Sequence, residues 1–171
     1  MDPIILAYIA GFLDGDGSIF FQLVKRKGYI WGYQIRCSVA FYQKTEHADI
    51  LEWLKSLFNR GYIRHRKTGI SDYTIVEPEE VKNILLSLKP YVRLKHEQIE
   101  LGIEILKLSK QVINASDFLK TCQMVDRFKN LNYSRKRKIT SEDVKELLKR
   151  HNHLTPVETD PERVRVEVEK I

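Results

Sequence analysis

The first helix that the sequence predicts constrains the fold of this chain more than any other segment. Asp2-Pro3 is a typical helix start, with aspartate as the N-cap and proline in the first turn. The residues of Ile4–Leu13 are apolar on every side of the helix, which must therefore be buried or paired. A ridge of small residues lets a second helix backbone approach closely. Small residues recur along one face at steps of four: Ala7, Gly11 and Gly15.

Two aspartates, Asp14 and Asp16, stand at the end of this helix. A helix C-terminus already carries partial negative charge, so carboxylates there need an offset. A divalent cation such as Mg²⁺ would provide one, because it prefers oxygen ligands and supports phosphodiester cleavage. The alternative is an ordinary Asp-Gly turn with solvated acids, and the two aspartates alone favour that alternative.

The rest of the chain alternates between strand and helix patterns. Every odd position of Tyr29–Phe41 is apolar, and Ser18–Arg26 alternates in the same way, with a turn at Lys25–Gly28. We predict an α+β fold with an αββαββα core, extra C-terminal helices and an antiparallel sheet. The later elements are expected at about Thr45–Phe58 (helix), Tyr62–Arg66 and Asp72–Val76 (strands), Pro78 to before Pro90 (helix), and Lys95–Ser109, Ser116–Leu131 and Thr140–Arg150 (helices).

Acidic and basic residues are concentrated in different segments of the chain. The net charge is +6, and neither the stretch between Gly17 and Thr45 nor that between Trp53 and Ser71 contains an acidic residue. Basic hairpins without acids favour a surface that binds double-stranded DNA over a merely solvated basic face. We expect bases or nearby phosphates to be contacted by Gln22, Arg26, Gln34, Arg36, Ser38, Arg64, Arg66 and Asp72, and phosphates by Lys25, Lys27 and Lys67 at the hairpin tips.

The string YIAGFLDGDGS at Tyr8–Ser18 closely resembles the LAGLIDADG motif of homing endonucleases. The predicted order of elements is similar to that family over about residues 4–150. Since the motif occurs once, the chain resembles the single-motif, homodimeric, intron-encoded branch. The resemblance implies a DNA-binding sheet that forms a saddle, and site-specific double-strand cleavage of a long, near-palindromic target that leaves short 3′ overhangs. It also implies a dimer interface at Ala7, Gly11, Asp14 and Gly15.

The same resemblance assigns roles to individual residues. Asp16 and the carbonyl of Gly15 would bind Mg²⁺, for which Mn²⁺ or Ca²⁺ could substitute in binding, and Asp14 would be structural. Gln43, placed just after the second strand, would orient water, and Lys95 would stabilise charge near the scissile phosphate. His47 stands where some relatives carry an arginine, which leaves the second basic contributor open. A basic C-terminal segment is similar to the family's DNA-contact region: Ser134, Lys136 and Lys138.

Two other functions fit the same fold. An intron maturase would bind intron RNA, and a transcription regulator would only bind DNA. The presence of Asp16, Gln43 and Lys95 together favours an active nuclease over both.

We expect an endonuclease domain at residues 1–154 and a tail at 155–171 that is either a short strand or a disordered end. No stretch is long and apolar enough to suggest a membrane partner. We therefore expect an intracellular protein, either cytoplasmic in a prokaryote or inside an organelle. Cys37 and Cys122 lack metal-ligand spacing and are expected to be buried, reduced thiols.

Overall fold

A computed structural model of the protein describes residues 1–132 and 138–151. The predicted α+β order is confirmed, and the helices after the core lie close to their expected positions. The elements are α1 (Pro3–Asp16), β1 (Gly17–Lys25), β2 (Tyr33–Lys44), α2 (Asp49–Phe58), β3 (Tyr62–His65), β4 (Ile70–Ile75), α3 (Pro78–Leu88), α4 (His96–Ser109), α5 (Ala115–Leu131) and α6 (Ser141–Arg150).

The four strands form one antiparallel sheet in the order β1-β2-β4-β3. Residues alternate between its two faces. One face is apolar, with Phe21, Val39 and Tyr73 each at most 2% exposed, and the helices pack against it. The opposite face carries most of the polar side chains of the strands, and Gln22, Arg36 and Arg64 on it are exposed, so it is called the uncovered face.

Helices α4 and α5 support the sheet through a tightly packed aromatic centre. The rings of Phe21 and Phe128 stack with centroids 4.9 Å apart. Gly102 brings the backbone of α4 close to this pair, since a Cβ there would lie 2.9 Å from the Phe21 ring. Burying one phenylalanine contributes about 1.5–3 kcal/mol, so this centre fixes the sheet firmly on its helices.

Helix α1 buries only one of its apolar faces. The Asp2 carboxylate caps the helix by accepting from the Ile4 N–H at 2.6 Å. Ile9 and Leu13 are fully buried against the core, whereas Ile4 is 80% exposed. The second apolar face therefore lies at the surface of a single copy of the chain.

Strand β2 begins four residues later than the sequence predicts. The chain instead forms a loop that is closed by a hydrogen bond from the Arg26 N–H to the Gly32 carbonyl (2.9 Å), and Gly32 has a φ of 69°. Ile30, at the tip, is 81% exposed. The left-handed conformation at Gly32 ends the loop. The predicted strand start at Tyr29 is therefore wrong, because the alternation of apolar residues continues through this loop.

Both cysteines are buried free thiols, as expected. Burial raises the pKa of Cys37 to about 11 and that of Cys122 to about 12. Among the helices that the structure describes, none has the length and apolarity to cross a membrane. The expected tail at 155–171 lies outside the described residues, so the predicted boundary of the domain stays a prediction.

Candidate active site and nucleic-acid interface

An open cleft of about 560 Å³ runs along the exposed side of α1. It brings together Asp16, Gln43 and His47, to which the resemblance drew attention, with Ala7 and Gly11 of the small-residue ridge. The last turn of α1 positions Asp16, the end of β2 positions Gln43, and a short 3₁₀ turn at Thr45–His47 positions His47. The remaining lining residues are Tyr8, Phe12 and Ile50.

The two aspartates at the end of α1 have different surroundings. The Asp14 carboxylate accepts backbone N–H groups of the segment before α4, from Arg93 (2.6 Å), Leu94 (3.1 Å) and Lys95 (3.0 Å). These donors offset its charge at the negative end of the helix. No described residue donates a hydrogen bond to the Asp16 carboxylate, which is exposed. The carboxylate of Asp14 is therefore satisfied by hydrogen bonds, whereas that of Asp16 is open to solvent.

Lys95 lies at the same helix end but is not part of the cleft lining. Its Nζ donates to the Asp14 carbonyl at 2.6 Å. Burial lowers the pKa of Lys95 below its ordinary value, while the charges of Asp14 and Asp16 act in the opposite direction. The structure thus holds the ammonium group within electrostatic reach of the exposed carboxylate.

Gln43 occupies a position inside β2 and not after it, since the strand extends to Lys44. Its Oε1 accepts the Lys44 N–H at 2.8 Å, which fixes the amide orientation and leaves the NH₂ group as a donor. His47 is exposed and lies 3.6 Å from the Glu46 carboxylate. Both side chains line the cleft and present polar groups to it.

The end of α1 carries oxygen donors of the kind that divalent metals prefer, but the described residues of one copy do not form a complete metal site. Among the described residues, no group of three or more histidine, cysteine, aspartate or glutamate side chains could hold a metal ion. The end of α1 offers one exposed carboxylate, Asp16, next to the exposed backbone of Gly15. These are hard oxygen donors of the kind that Mg²⁺ and Ca²⁺ prefer, and a second copy of the same helix end would double them.

The uncovered face of the sheet collects the polar residues predicted to contact DNA. Gln22 pairs with Arg36 across β1 and β2, and Ser38 and Gln34 flank that pair on the same face. Arg64 lies on the same face in β3. The basic side chains at the hairpin loops are exposed: Lys25, Arg26, Lys27, Arg66 and Lys67.

Asp72 differs from this set because its side chain is only 1% exposed. It accepts hydrogen bonds from Arg64 Nε (3.1 Å) and Arg66 Nε (2.6 Å), and from the Thr74 hydroxyl (3.1 Å). Burial disfavours its charged form, but these hydrogen bonds outweigh that effect and lower the pKa of Asp72. A carboxylate covered in this way holds two arginines in place, which argues against the expectation that Asp72 itself reaches DNA.

Some residues near the site were not found from the sequence. The Tyr42 ring lies 5.6 Å from the Arg66 guanidinium carbon and forms a cation–π contact with it. His65, Ser71 and Thr45 form a chain of hydrogen bonds behind Gln43. Both arrangements depend on the register between strands, which no short sequence motif specifies. Of the basic C-terminal segment, Lys138 is exposed just before α6, whereas Ser134 and Lys136 lie outside the described residues.

The chain is similar in sequence to known DNA endonucleases. The family profile described as LAGLIDADG endonuclease matches residues 9–106. The chain is 37% identical to the DNA endonuclease I-CreI of Chlamydomonas reinhardtii, over 84% of this chain and 88% of that protein. It is 32% identical to the DNA endonuclease I-CvuI of Chlorella vulgaris, over 90% of this chain and 95% of that protein.

The fold is also similar to solved structures of I-CvuI. One contains I-CvuI in complex with its target in the presence of 2 mM Ca, and another contains the I-CreI target, not cleaved, in the presence of 2 mM Mg. Each matches with a TM-score of 0.84 and 32% identity, and covers 89% of this chain and 97% of the I-CvuI chain.

Proposed function

The chain belongs to the LAGLIDADG endonuclease family, and we propose that two copies of it cut both strands of a long, near-palindromic DNA target with divalent metal. One observation carries the proposal: α1 combines an unburied small-residue ridge with a terminal, exposed carboxylate, Asp16, that accepts no hydrogen bond from the described residues. Both features gain a role when two α1 helices pack together at a scissile phosphate.

The dimer would form along the exposed face of α1. At Gly11 and Gly15, apart from the adjacent backbone of α1 itself, no atom of the described residues lies within 4 Å of the position that a Cβ would take. The space is therefore available to the backbone of a second helix, and Ala7 extends the ridge by one turn. Asp14 ties the helix end to the segment before α4, which would hold the two helix ends in register.

Each copy would bring Asp16 and the Gly15 carbonyl to a shared site. When bound there, Mg²⁺ supplies Lewis-acid stabilisation of the phosphate oxygens and of the attacking water. Gln43 and His47 would hold that water through hydrogen bonds in the cleft. Lys95 would stabilise the negative charge that develops on the phosphate, as a fixed cation beside the helix end.

The uncovered sheet face would read the DNA in the major groove. Arginine suits guanine and glutamine suits adenine, which assigns base contacts to Gln22, Gln34, Arg36 and Arg64. Asp72 would act through the arginines by holding their guanidinium groups in a fixed orientation. Phosphate contacts would come from the loop and C-terminal residues: Lys25, Arg26, Lys27, Lys67, Ser134, Lys136 and Lys138.

The experiment that tests this function is cleavage of a randomised, near-palindromic DNA library in Mg²⁺ by the wild type and by Asp16→Asn. Double-strand cuts with short 3′ overhangs at one class of site, absent with the variant, are the expected result and would reveal the target. A dimer that binds nucleic acid but leaves the whole library uncut would overturn the proposal and favour an RNA-binding maturase.

A further inference from the structure

A chain of three side chains connects the DNA-facing hairpin β3–β4 with the cleft. The His65 Nδ1 lies 2.8 Å from the Ser71 hydroxyl, and the Ser71 hydroxyl lies 2.9 Å from the Thr45 hydroxyl. Ser71, in the middle, is 0% exposed. A buried hydroxyl with two hydrogen-bond partners is held in a fixed orientation, and removing either partner leaves it with a single bond.

The strand register places Ser71 and His65 in line with Gln43, which lines the cleft. Ser71 is paired with Gln43 of β2 on one side and with His65 of β3 on the other. Directly opposed residues of neighbouring strands have Cβ atoms about 4.5–5.5 Å apart, so Gln43, Ser71 and His65 form one row across the sheet. The row ends at the residue expected to orient water.

Thr45 is the residue through which the row can act on the cleft. It lies two residues after Gln43 and two before His47, both of which line the cleft. Two hydrogen bonds tie Thr45 to the hairpin: its hydroxyl to Ser71 and its backbone N–H to the Gly69 carbonyl at 2.8 Å. The turn that carries His47 is thus attached to β3–β4 and not to its own helix alone.

The same hairpin carries the arginine pair on its other face. Successive residues of a strand point to opposite faces, so His65 and Ser71 lie behind Arg64 and Asp72. If the position of the hairpin depends on whether the arginines contact a matching base pair, the row would shift with the hairpin. Thr45, which is bonded to the row, would then shift as well.

We propose that the Thr45–Ser71–His65 chain couples base recognition by β3–β4 to the placement of Gln43 and His47, so that these three are positioning residues for cleavage and not for binding. The inference rests on the proposed endonuclease function. Misplacing a catalytic group by about 1 Å can cost on the order of 100-fold in rate, so a loosened turn would slow the chemistry strongly.

The test uses Thr45→Val, which keeps the shape and removes the hydroxyl, with Thr45→Ser as the conservative rescue and Ser71→Ala as a second break in the chain. Ser87→Ala, which removes an exposed hydroxyl bonded to the Asn83 carbonyl on α3, is the matched control. Binding of the selected target is measured in Ca²⁺, single-turnover cleavage in Mg²⁺, and folding by thermal melting.

We expect Thr45→Val and Ser71→Ala to bind as the wild type does and to cleave about 10- to 100-fold more slowly, and Thr45→Ser and Ser87→Ala to cleave normally. A mismatch at the base pair that Arg64 contacts should slow wild-type cleavage by a larger factor than it weakens binding. In Thr45→Val, the two factors should be equal.

Normal cleavage by Thr45→Val and Ser71→Ala, or equal losses of binding and cleavage, would overturn the inference while the wild type still cuts. A wild type that binds without cutting would overturn the proposed function and this inference together.

Discussion

Lys95 donates two hydrogen bonds to Asp14, one from its backbone and one from its side chain. The Asp14 carboxylate accepts the Lys95 backbone N–H at 3.0 Å, and the Lys95 Nζ donates to the Asp14 backbone carbonyl at 2.6 Å. The two residues are distant in sequence, and together they fasten the end of α1 to the start of α4. The helix end that carries Asp16 is therefore fixed to the segment before α4.

Replacing Asp14 should destabilise the fold, whereas replacing Asp16 should not. Asp14→Ala leaves three backbone N–H groups without their carboxylate, which costs about 2–3 kcal/mol after allowance for partial exposure. Asp16→Ala removes a carboxylate from the negative end of a helix and should leave stability unchanged or slightly raised. Urea unfolding of both variants measures the difference, and equal effects would contradict this division of roles.

Gly11→Leu should separate folding from dimerisation. The position of a Cβ at Gly11 is open in one copy of the chain, so the variant subunit should still fold, with a cooperative thermal transition and the helix content of the wild type. The same side chain would wedge two α1 helices apart and abolish both dimer and cleavage. Sedimentation and cleavage assays check this, with Gln123→Leu on the exposed surface of α5 as the control. An active Gly11→Leu dimer would refute the proposed interface.

Asp72 should make stability sensitive to acid. Its pKa is lowered in the folded state, so its contribution is fully present above the usual value of 3.8 and is lost as the pH falls through the lower folded value. Asp72→Asn should cost about 1–2 kcal/mol at neutral pH, since both arginine partners are partly exposed. The difference in unfolding free energy between wild type and variant should shrink below pH 4. A difference that is constant with pH would contradict the assignment.

The two kinds of proposed DNA contact should have different signatures. Arg64→Ala should cost about 1–3 kcal/mol at one base pair and relax specificity there, because it removes a contact to a base edge. Lys27→Ala should weaken binding to all sequences alike and reduce the salt slope by about 1. Competition binding with singly substituted targets at several salt concentrations compares them. Identical profiles would show that Arg64 contacts only phosphate.

The sequence predicted most of the fold because its signals are local. The cap at Asp2-Pro3, the alternation in β1 and the stop before Pro90 each involve neighbouring residues, and each element forms where expected. The motif that contains Asp16 is also a short continuous string of residues. The start of β2 was misplaced because apolar alternation continues through a loop that Gly32 closes, and alternation alone does not show where a strand bends.

The remainder of the site depends on contacts between distant segments. Nothing close to Asp14 in the sequence indicates that its partners are the backbone N–H groups of Arg93–Lys95. Likewise, the Asp72 carboxylate is buried beside three hydrogen-bond donors that the sheet register brings together. The sequence shows that such residues are charged or polar. Only the fold shows whether their side chains contact one another or remain exposed for DNA.

The most direct test of the account is strand-resolved cleavage of the selected target by Asp16→Asn, with binding measured in Ca²⁺. Asp2→Asn makes the same substitution at the other end of α1, where asparagine caps as well as aspartate, and it should cut normally. We predict that Asp16→Asn binds the target but cuts both strands at least about 1,000-fold more slowly. Cleavage of either strand at the wild-type rate would show that Asp16 is not the residue on which the chemistry depends.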